Sequence, residues 1–180
     1  LRILYLEERP RWQARFVTNV LGRLPYVDLN ALVTLTAPEG KLPRGVGAGA
    51  WPSDPDILEL YDIVILGDVP PETLDDAEWE ALLAHVREDG ATLMVLAGER
   101  HLPAAYAAHP LASALPFPAD APVTTDSVTA WARTPAGLHN RMVRGWDFLP
   151  RLPEDAATPP VAADAVGLLS TAQDNAPLLG

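Results

Sequence analysis

Residues 91–101, with the sequence ATLMVLAGERH, begin as an apolar segment and continue through a glycine into three polar side chains. Residues 92–97 are all apolar or β-branched, and a turn signal at Asp89-Gly90 precedes them. A continuous apolar run of this length, without alternation, is typical of a strand that is covered on both faces, as in a parallel sheet. The segment therefore predicts a buried parallel strand that ends at Gly98.

The polar residues after this strand form the first candidate site. In open α/β sheets, ligands bind in the crevice beyond the carboxyl ends of the strands. An alternative is that these residues only form a polar turn, with Gly98 at the bend, because loops after strands are polar in most proteins. On the first interpretation, the predicted crevice includes Gly98, Glu99, Arg100 and His101.

The elements before this strand alternate between extended and helical patterns. Trp12, Phe16 and Val20 recur at the spacing of one helical face. An order of β-α-β-loop-β-α-β predicts parallel strands that are joined by right-handed crossovers. We therefore predict an α/β fold with a three-layer, mainly parallel, doubly wound sheet of the flavodoxin-like kind. The predicted elements are strands at residues 1–6, 27–36 and 63–66 and helices at residues 11–23 and 75–88.

Two segments contain too much proline or glycine for regular structure. Residues 37–56 are predicted to form a long loop on the ligand side of the sheet, and a loop of that length is either functional or disordered. Residues 117–160 are predicted to be irregular and to pack on the core. We expect one domain over residues 1–180, excised from a longer chain. The later expected elements are a short helix in 103–115 that is broken at His109-Pro110, strands at 123–132 and 163–170, and an apolar cluster at 146–149.

Composition excludes several classes of function. The net charge of -11 and the pI near 4.6 argue against a nucleic-acid or anionic-membrane surface, which needs clustered Lys and Arg. The absence of cysteine excludes thiolate metal sites, disulfides and cysteine nucleophiles. No apolar run approaches the roughly 18 residues that cross a bilayer, so we expect a soluble domain without direct membrane insertion.

Acidic residues follow three of the predicted strands. They are Glu7 and Glu8, Asp68, and Glu99. Since parallel strand ends meet at one edge of a sheet, these carboxylates could bind a hard cation such as Mg²⁺ or raise one another's pKa. The same pattern resembles the acidic pocket of a receiver domain, although Lys41 is the only lysine and no lysine follows a fifth strand. A metal-dependent hydrolase that uses Asp68, Glu99 and His101 is a further alternative.

Three segments resemble a known family: ILYLEERPRWQARFVTNVL at 3–21, YDIVILGDVPPE at 61–72, and LAHVREDGATLMVLAGERHLPAAYAAHPLASALP at 83–116. They are similar to class I glutamine amidotransferase-like domains within large bacterial membrane-anchored proteins. The resemblance covers residues 1–116, with weaker similarity at 146–150 and 165–180. It implies the superfamily's fold. Enzymatic members carry a nucleophilic cysteine on the elbow after the equivalent strand, where this chain has Gly98-Glu99.

The resemblance therefore implies a domain without the catalytic residue, and we predict that the chain is not an enzyme. The expected function is protein interaction, scaffolding or ligand sensing, with other domains of the same polypeptide or a protein as partner. No cofactor, catalytic residue or resident metal is expected. The predicted ligand crevice consists of Glu7, Asp68, Gly98, Glu99, Arg100 and His101.

Overall fold

The computed structural model describes residues 1–34, 41–115, 119, 131–141, 169–171 and 177–179. The chain divides into two compact units, Leu1–Ser113 and Ala114–Gly180, which are described separately. A single domain over all 180 residues stays a prediction. Within the described residues, no helix is long and apolar enough to cross a membrane.

The first unit is built on a four-stranded parallel sheet. Its strands are β1 (Arg2–Glu7), β2 (Asp28–Val33), β3 (Ile63–Leu66) and β4 (Thr92–Val95), in the order β2-β1-β3-β4. The predicted α/β class with parallel strands is confirmed. The predicted burial of the 92–97 strand on both faces is wrong, because β4 is the last strand of this sheet and its residues are exposed or only partly buried. The two central strands are apolar on both faces and almost completely buried, as expected for a sheet covered on both sides.

Among the described residues, three α-helices lie between these strands: α1 (Trp12–Leu21), α2 (Pro55–Leu58) and α3 (Asp76–Arg87). A short 3-10 helix, Pro71–Thr73, precedes α3. The crossover through α1 runs from β1 to β2, and the crossover through α3 runs in the opposite direction, from β3 to β4. Because crossovers between parallel strands are right-handed, α1 and α3 lie on opposite faces of the sheet. The order of the strands reverses between β1 and β3, which is where open α/β sheets bind ligands.

Helix α1 carries two apolar faces. Ala14 packs against Ile3 and Tyr5 of the sheet, and Val17 and Leu21 extend the same contact. The residues whose spacing predicted the helix point away from the sheet instead. The exposed fractions are 77% for Trp12, 62% for Phe16 and 44% for Val20. The helical period was therefore correct, while the core contact is made by a second set of smaller side chains.

The described part of the predicted 37–56 loop is more ordered than its composition indicated. Arg44 and Trp51 form an isolated bridge, with hydrogen bonds from Gly45 N to Trp51 O at 3.0 Å and from Trp51 N to Pro43 O at 2.7 Å. Three glycines between them have positive φ angles, which other residues adopt only with strain. Arg44 also binds Glu78 of α3 through two hydrogen bonds of 2.7 and 2.8 Å.

The segment after β4 is predicted to be one short helix over 103–115 that breaks at His109-Pro110. It forms two short 3-10 helices, Ala104–Tyr106 and Pro110–Ala114. Pro110 has no backbone N–H to continue an α-helix from the preceding turn, which explains the break. The ring of Tyr106 packs edge-on against the rings of Trp79 and His109, and this aromatic cluster joins the segment to α3.

The second unit contains a three-stranded antiparallel sheet. Its strands are β5 (Trp131–Arg133), β6 (Leu169–Thr171) and β7 (Pro177–Leu179), and α4 (Pro135–His139) follows β5. The strands predicted at 123–132 and 163–170 overlap β5 and β6 only at their ends, and their remaining residues lie outside the described chain. The apolar cluster at 146–149 and most of the predicted irregular segment at 117–160 also lie outside it.

Candidate functional site

Glu7 ends β1 and is completely buried. Its Oε2 accepts hydrogen bonds from the Tyr5 hydroxyl at 3.0 Å and from Nη2 and Nε of Arg11 at 2.8 and 3.2 Å. Its Oε1 accepts from the backbone amides of Glu8 at 3.2 Å and Asp68 at 3.1 Å. Burial raises the pKa of the Tyr5 phenol, and the charge of Glu7 and the hydrogen bond to it raise that pKa further.

Arg11 connects Glu7 to the residues that follow β4. Its Nη1 donates to the carbonyl of Ala97 at 3.3 Å, and its Nη2 lies 3.5 Å from the carbonyl of Leu96. The Arg11 side chain is only 21% exposed. A buried carboxylate is tolerated when it is paired and hydrogen-bonded, so Arg11 supplies the compensating charge for Glu7.

Asp68 follows β3 and is 3% exposed. Its Oδ1 accepts from the amides of His101 at 2.8 Å and Leu102 at 2.9 Å, and its Oδ2 accepts from the amide of Arg100 at 3.1 Å. Burial alone would raise the pKa of the Asp68 carboxyl. The three amide hydrogen bonds and the positive charge of Arg11 outweigh burial and hold this pKa below its ordinary value.

Two glycines leave the space that these carboxylates occupy. A Cβ on Gly67 would lie 2.7 Å from Cδ of Glu7 and would overlap its Oε2. A Cβ on Gly98 would overlap the carboxylate of Asp68. Gly98 is therefore required for the close approach of the two loops.

Glu8 lies close to two arginines and a histidine at this edge of the sheet. Its Oε2 lies 2.6 Å from Nη1 of Arg100 and 3.3 Å from Nε of Arg9. Nε2 of His101 lies 3.6 Å from the same oxygen, which is beyond hydrogen-bond distance, and this buried nitrogen has no hydrogen-bond partner within the described part of the chain. Glu99, in contrast, is exposed.

These residues surround an open cleft of about 560 Å³, which we call the strand-end cleft. Five of the six residues predicted for the crevice line it, while His101 does not line it and instead contributes its backbone amide to Asp68. The cleft is lined by Glu7, Glu8, Arg9, Arg11, Trp12, Gln13, Asp68, Ala97, Gly98, Glu99 and Arg100. The structure therefore brings these five residues together at the carboxyl ends of the strands, and their role as a ligand site stays a prediction.

The carboxylates in the cleft do not converge on a common point. Among the described residues, no group of three or more His, Cys, Asp or Glu side chains is arranged to hold a metal ion. Glu7 is neutralised by Arg11, Glu8 is paired with Arg100, and Asp68 is directed toward backbone amides. The arrangement therefore joins the ends of β1, β3 and β4 through hydrogen bonds, which keeps the loops at this edge in fixed positions.

Sequence reasoning missed the residue that makes this arrangement possible. Arg11 appeared only as the first residue of a predicted helix, although it lies four positions after Glu7. That spacing is a signal for an ion pair on one helix, but here a strand end and a loop separate the two residues. The amides of residues 100–102 carry no side-chain signal at all, because every residue except proline supplies one.

Comparison with known proteins adds no identification. No protein-family model matches the chain, and no curated protein or solved structure matches it significantly.

Proposed function

We propose that this chain is a non-enzymatic module with the shape of a class I glutamine amidotransferase domain, which acts within a larger bacterial protein by binding protein partners or neighbouring domains. The strand order β2-β1-β3-β4 supports this assignment, because flavodoxin-like doubly wound sheets have the order 2-1-3-4-5. The membrane-anchored context that the sequence resemblance implies belongs to the same proposal.

The observation that carries the proposal is the engagement of both strand-end carboxylates. Each oxygen of Glu7 and of Asp68 accepts at least one hydrogen bond from a neighbouring group of the protein. A catalytic acid, base or metal ligand needs a free oxygen directed at the reacting atoms. The two carboxylates instead have the pattern of structural acceptors that fix loop positions.

The receiver-like alternative is disfavoured by the surroundings of Asp68. A phosphorylated aspartate must present an oxygen to the phosphoryl donor, but Asp68 is 3% exposed and all its described hydrogen bonds come from amides that lie over it. The nearby cation is Arg11, and it is bound to Glu7 and to two carbonyls. Phosphorylation would therefore require the loop of residues 98–102 to open.

The hydrolase alternative is disfavoured by the separation of its proposed residues. Glu99 is exposed, Asp68 is buried, and the His101 imidazole lies against Glu8. At the position of an amidotransferase nucleophile the chain has Gly98-Glu99, and Asp68 fills the space that a side chain on Gly98 would take.

The proposed binding role is supported by the exposed surface beside the cleft. Trp12 lines the strand-end cleft and is 77% exposed, and Phe16 continues the apolar surface along α1. A contiguous exposed apolar patch with polar surroundings is characteristic of an interaction site.

The proposal is tested by assaying the purified chain for the three activities that it excludes. The chain is incubated with acetyl phosphate and Mg²⁺ and examined by intact-mass spectrometry, and it is assayed with glutamine and with p-nitrophenyl phosphate in the presence of Mg²⁺ or Mn²⁺. We expect no phosphoryl adduct and no turnover above that of the buffer. Turnover that is lost in Glu99→Gln or His101→Ala, but kept in Glu59→Gln at an exposed site, would overturn the proposal.

A further inference from the structure

The outward face of α1 combines aromatic side chains with positive charge. We call Trp12, Phe16 and Val20 the outer stripe of α1. Residues 9–27 contain four arginines and no acidic residue, in a chain whose net charge is -11. Arg9, Arg15 and Arg23 are exposed, so this stripe is an apolar ridge with basic margins.

A groove with mainly acidic side chains, opposite in charge to the stripe, lies along α3. It has a volume of about 460 Å³, and Trp79, Leu83, Ala84, His109 and Pro110 contribute apolar and aromatic groups to its lining. Asp76, Glu80 and Glu88 line it and are exposed, together with Arg87. Residues 71–89 contain seven acidic residues and one arginine. We call this feature the α3 groove, which combines an apolar lining with exposed side chains that are mainly acidic.

We propose that the outer stripe of α1 in one copy of the chain docks into the α3 groove of a second copy. The groove volume lies within the range of about 300–1,000 Å³ that accommodates sizeable ligands, so it can receive an aromatic side chain such as that of Trp12. Buried aromatic anchors and complementary charges at the margins are the features that stabilise and orient protein interfaces. This inference rests on the proposed function, since it names the partner of the interaction module.

Charge decides between this interface and a symmetric pairing of two α1 helices. In a symmetric interface, the stripe would pack against the same stripe of the second copy. Arg15 and Arg23 would then meet the arginines of that copy. Like charges across an interface are unfavourable, whereas Asp76 and Glu80 at the groove offer the opposite charge. The α3 groove is therefore the better complement for the stripe.

The position of the two surfaces defines the kind of assembly. Since α1 and α3 lie on opposite faces of the sheet, a copy that uses its stripe still has a free groove, and the copy that it binds still has a free stripe. Such a heterologous contact extends into an open chain of copies unless the rotation between them closes a ring. Association is thus expected to continue beyond the dimer.

The experiment is sedimentation velocity of the complete 180-residue chain, at concentrations up to roughly 1 mM, where even a millimolar Kd is visible. The stripe variant is Trp12→Ser with Phe16→Ser, and the groove variant is Glu80→Lys with Glu88→Lys. All four residues are exposed, so the substitutions leave the core intact, and circular dichroism checks that the fold is retained. The matched controls are Val46→Ser, an 81% exposed apolar residue, and Glu59→Lys.

We expect the unmodified chain to associate beyond the dimer, and more weakly when the salt is raised from about 0.05 M to about 0.5 M. Each variant should lower the association constant at least about tenfold, as loss of an interface anchor does. The controls should associate like the unmodified chain. An equimolar mixture of the two variants should form a 1:1 pair and no larger species, because each contributes the one surface that the other lacks.

Two results would overturn the inference. The first is a chain that stays monomeric at every concentration. The second is a groove variant that associates as strongly as the unmodified chain. Neither would affect the proposed non-enzymatic function, which is tested separately by the phosphoryl transfer and turnover assays described above.

Discussion

The carboxylate of Asp68 occupies the position that a Cβ on Gly98 would take. The glycine after β4 and the aspartate after β3 are therefore one structural unit, in which the missing side chain makes room for a buried charge. The amides of residues 100–102 then close over that charge.

Replacement of Gly98 by alanine should destabilise the protein. The added methyl group must displace Asp68 from its three amide donors, so we expect a loss of roughly 2–4 kcal/mol in the free energy of unfolding. Urea denaturation measures this loss. Gly49→Ala is the comparison, because its φ of +84° is strained but no atom lies within 4 Å of its Cβ position. It should cost only about 1–2 kcal/mol, and equal losses would contradict the packing argument.

Replacement of Asp68 by asparagine should destabilise the protein in a pH-dependent way. The amide of asparagine cannot accept three hydrogen bonds as a carboxylate does, and we expect a loss of about 2–4 kcal/mol at pH 7. Because the folded-state pKa of Asp68 lies below its ordinary value, the ionised form stabilises the fold above the unfolded pKa near 4. This stability is lost as the pH falls through the folded-state pKa.

Denaturation of the two proteins between pH 7 and pH 2 tests this assignment. The difference in unfolding free energy between the unmodified chain and Asp68→Asn should be constant above about pH 5 and should shrink below about pH 4. A difference that stays the same down to the lowest pH would show that the charge of Asp68 is not what stabilises the loop.

Replacement of Arg11 by alanine should leave Glu7 buried without a compensating charge. Breaking a buried pair in this way costs about 3–5 kcal/mol, and the 21% exposure of Arg11 places the expected loss at the lower end of that range. Arg9→Ala is the matched control, since Arg9 is 49% exposed and lies 3.3 Å from Glu8. Exposed pairs contribute about 0–1 kcal/mol, so thermal denaturation should separate the two variants clearly. Similar melting temperatures would contradict the assigned role of Arg11.

Replacement of Asn30 by alanine should release the loop of residues 44–51. The Asn30 side chain donates to the carbonyls of Gly47 at 3.4 Å and Ala50 at 3.0 Å and accepts from the amide of Gly49 at 2.8 Å. We expect faster hydrogen exchange in this loop and a loss of about 1–3 kcal/mol in stability. Asn19→Ala, on the exposed face of α1, should change neither. Unchanged exchange in the Asn30 variant would show that the loop is held by other contacts.

The sequence predicted the sheet well because its signal is local. The strand predicted at 27–36 alternates between apolar and polar residues, the other predicted strands of the first unit are short apolar runs, and β4 lies within residues 92–97 as expected. Helix α1 was found by its period, yet the period identified the exposed Trp12 and Phe16 rather than the core residues. Hydrophobicity alone does not distinguish a face that packs on the sheet from a face that is left for a partner.

The sequence predicted which residues lie together at the strand ends, but it did not predict their hydrogen-bond partners. Parallel strand ends meet at one edge, so the positions of Glu7, Asp68 and Glu99 followed from the strand assignments. Whether a carboxylate is free or engaged depends on donors that come from distant residues, such as the amides over Asp68 and the guanidinium of Arg11. Those donors are set by tertiary structure and leave no pattern in the sequence.

The most direct test of the central claim is a titration of the isotope-labelled chain with Mn²⁺, followed by line broadening of the backbone amides in NMR spectra. If the strand-end carboxylates are structural acceptors, the amides of Glu8, Arg100, His101 and Leu102 should broaden no more than amides beside other surface acids such as Glu59. Selective broadening of those four amides, with saturation below about 1 mM Mn²⁺, would show that the carboxylates bind a cation and would contradict the account.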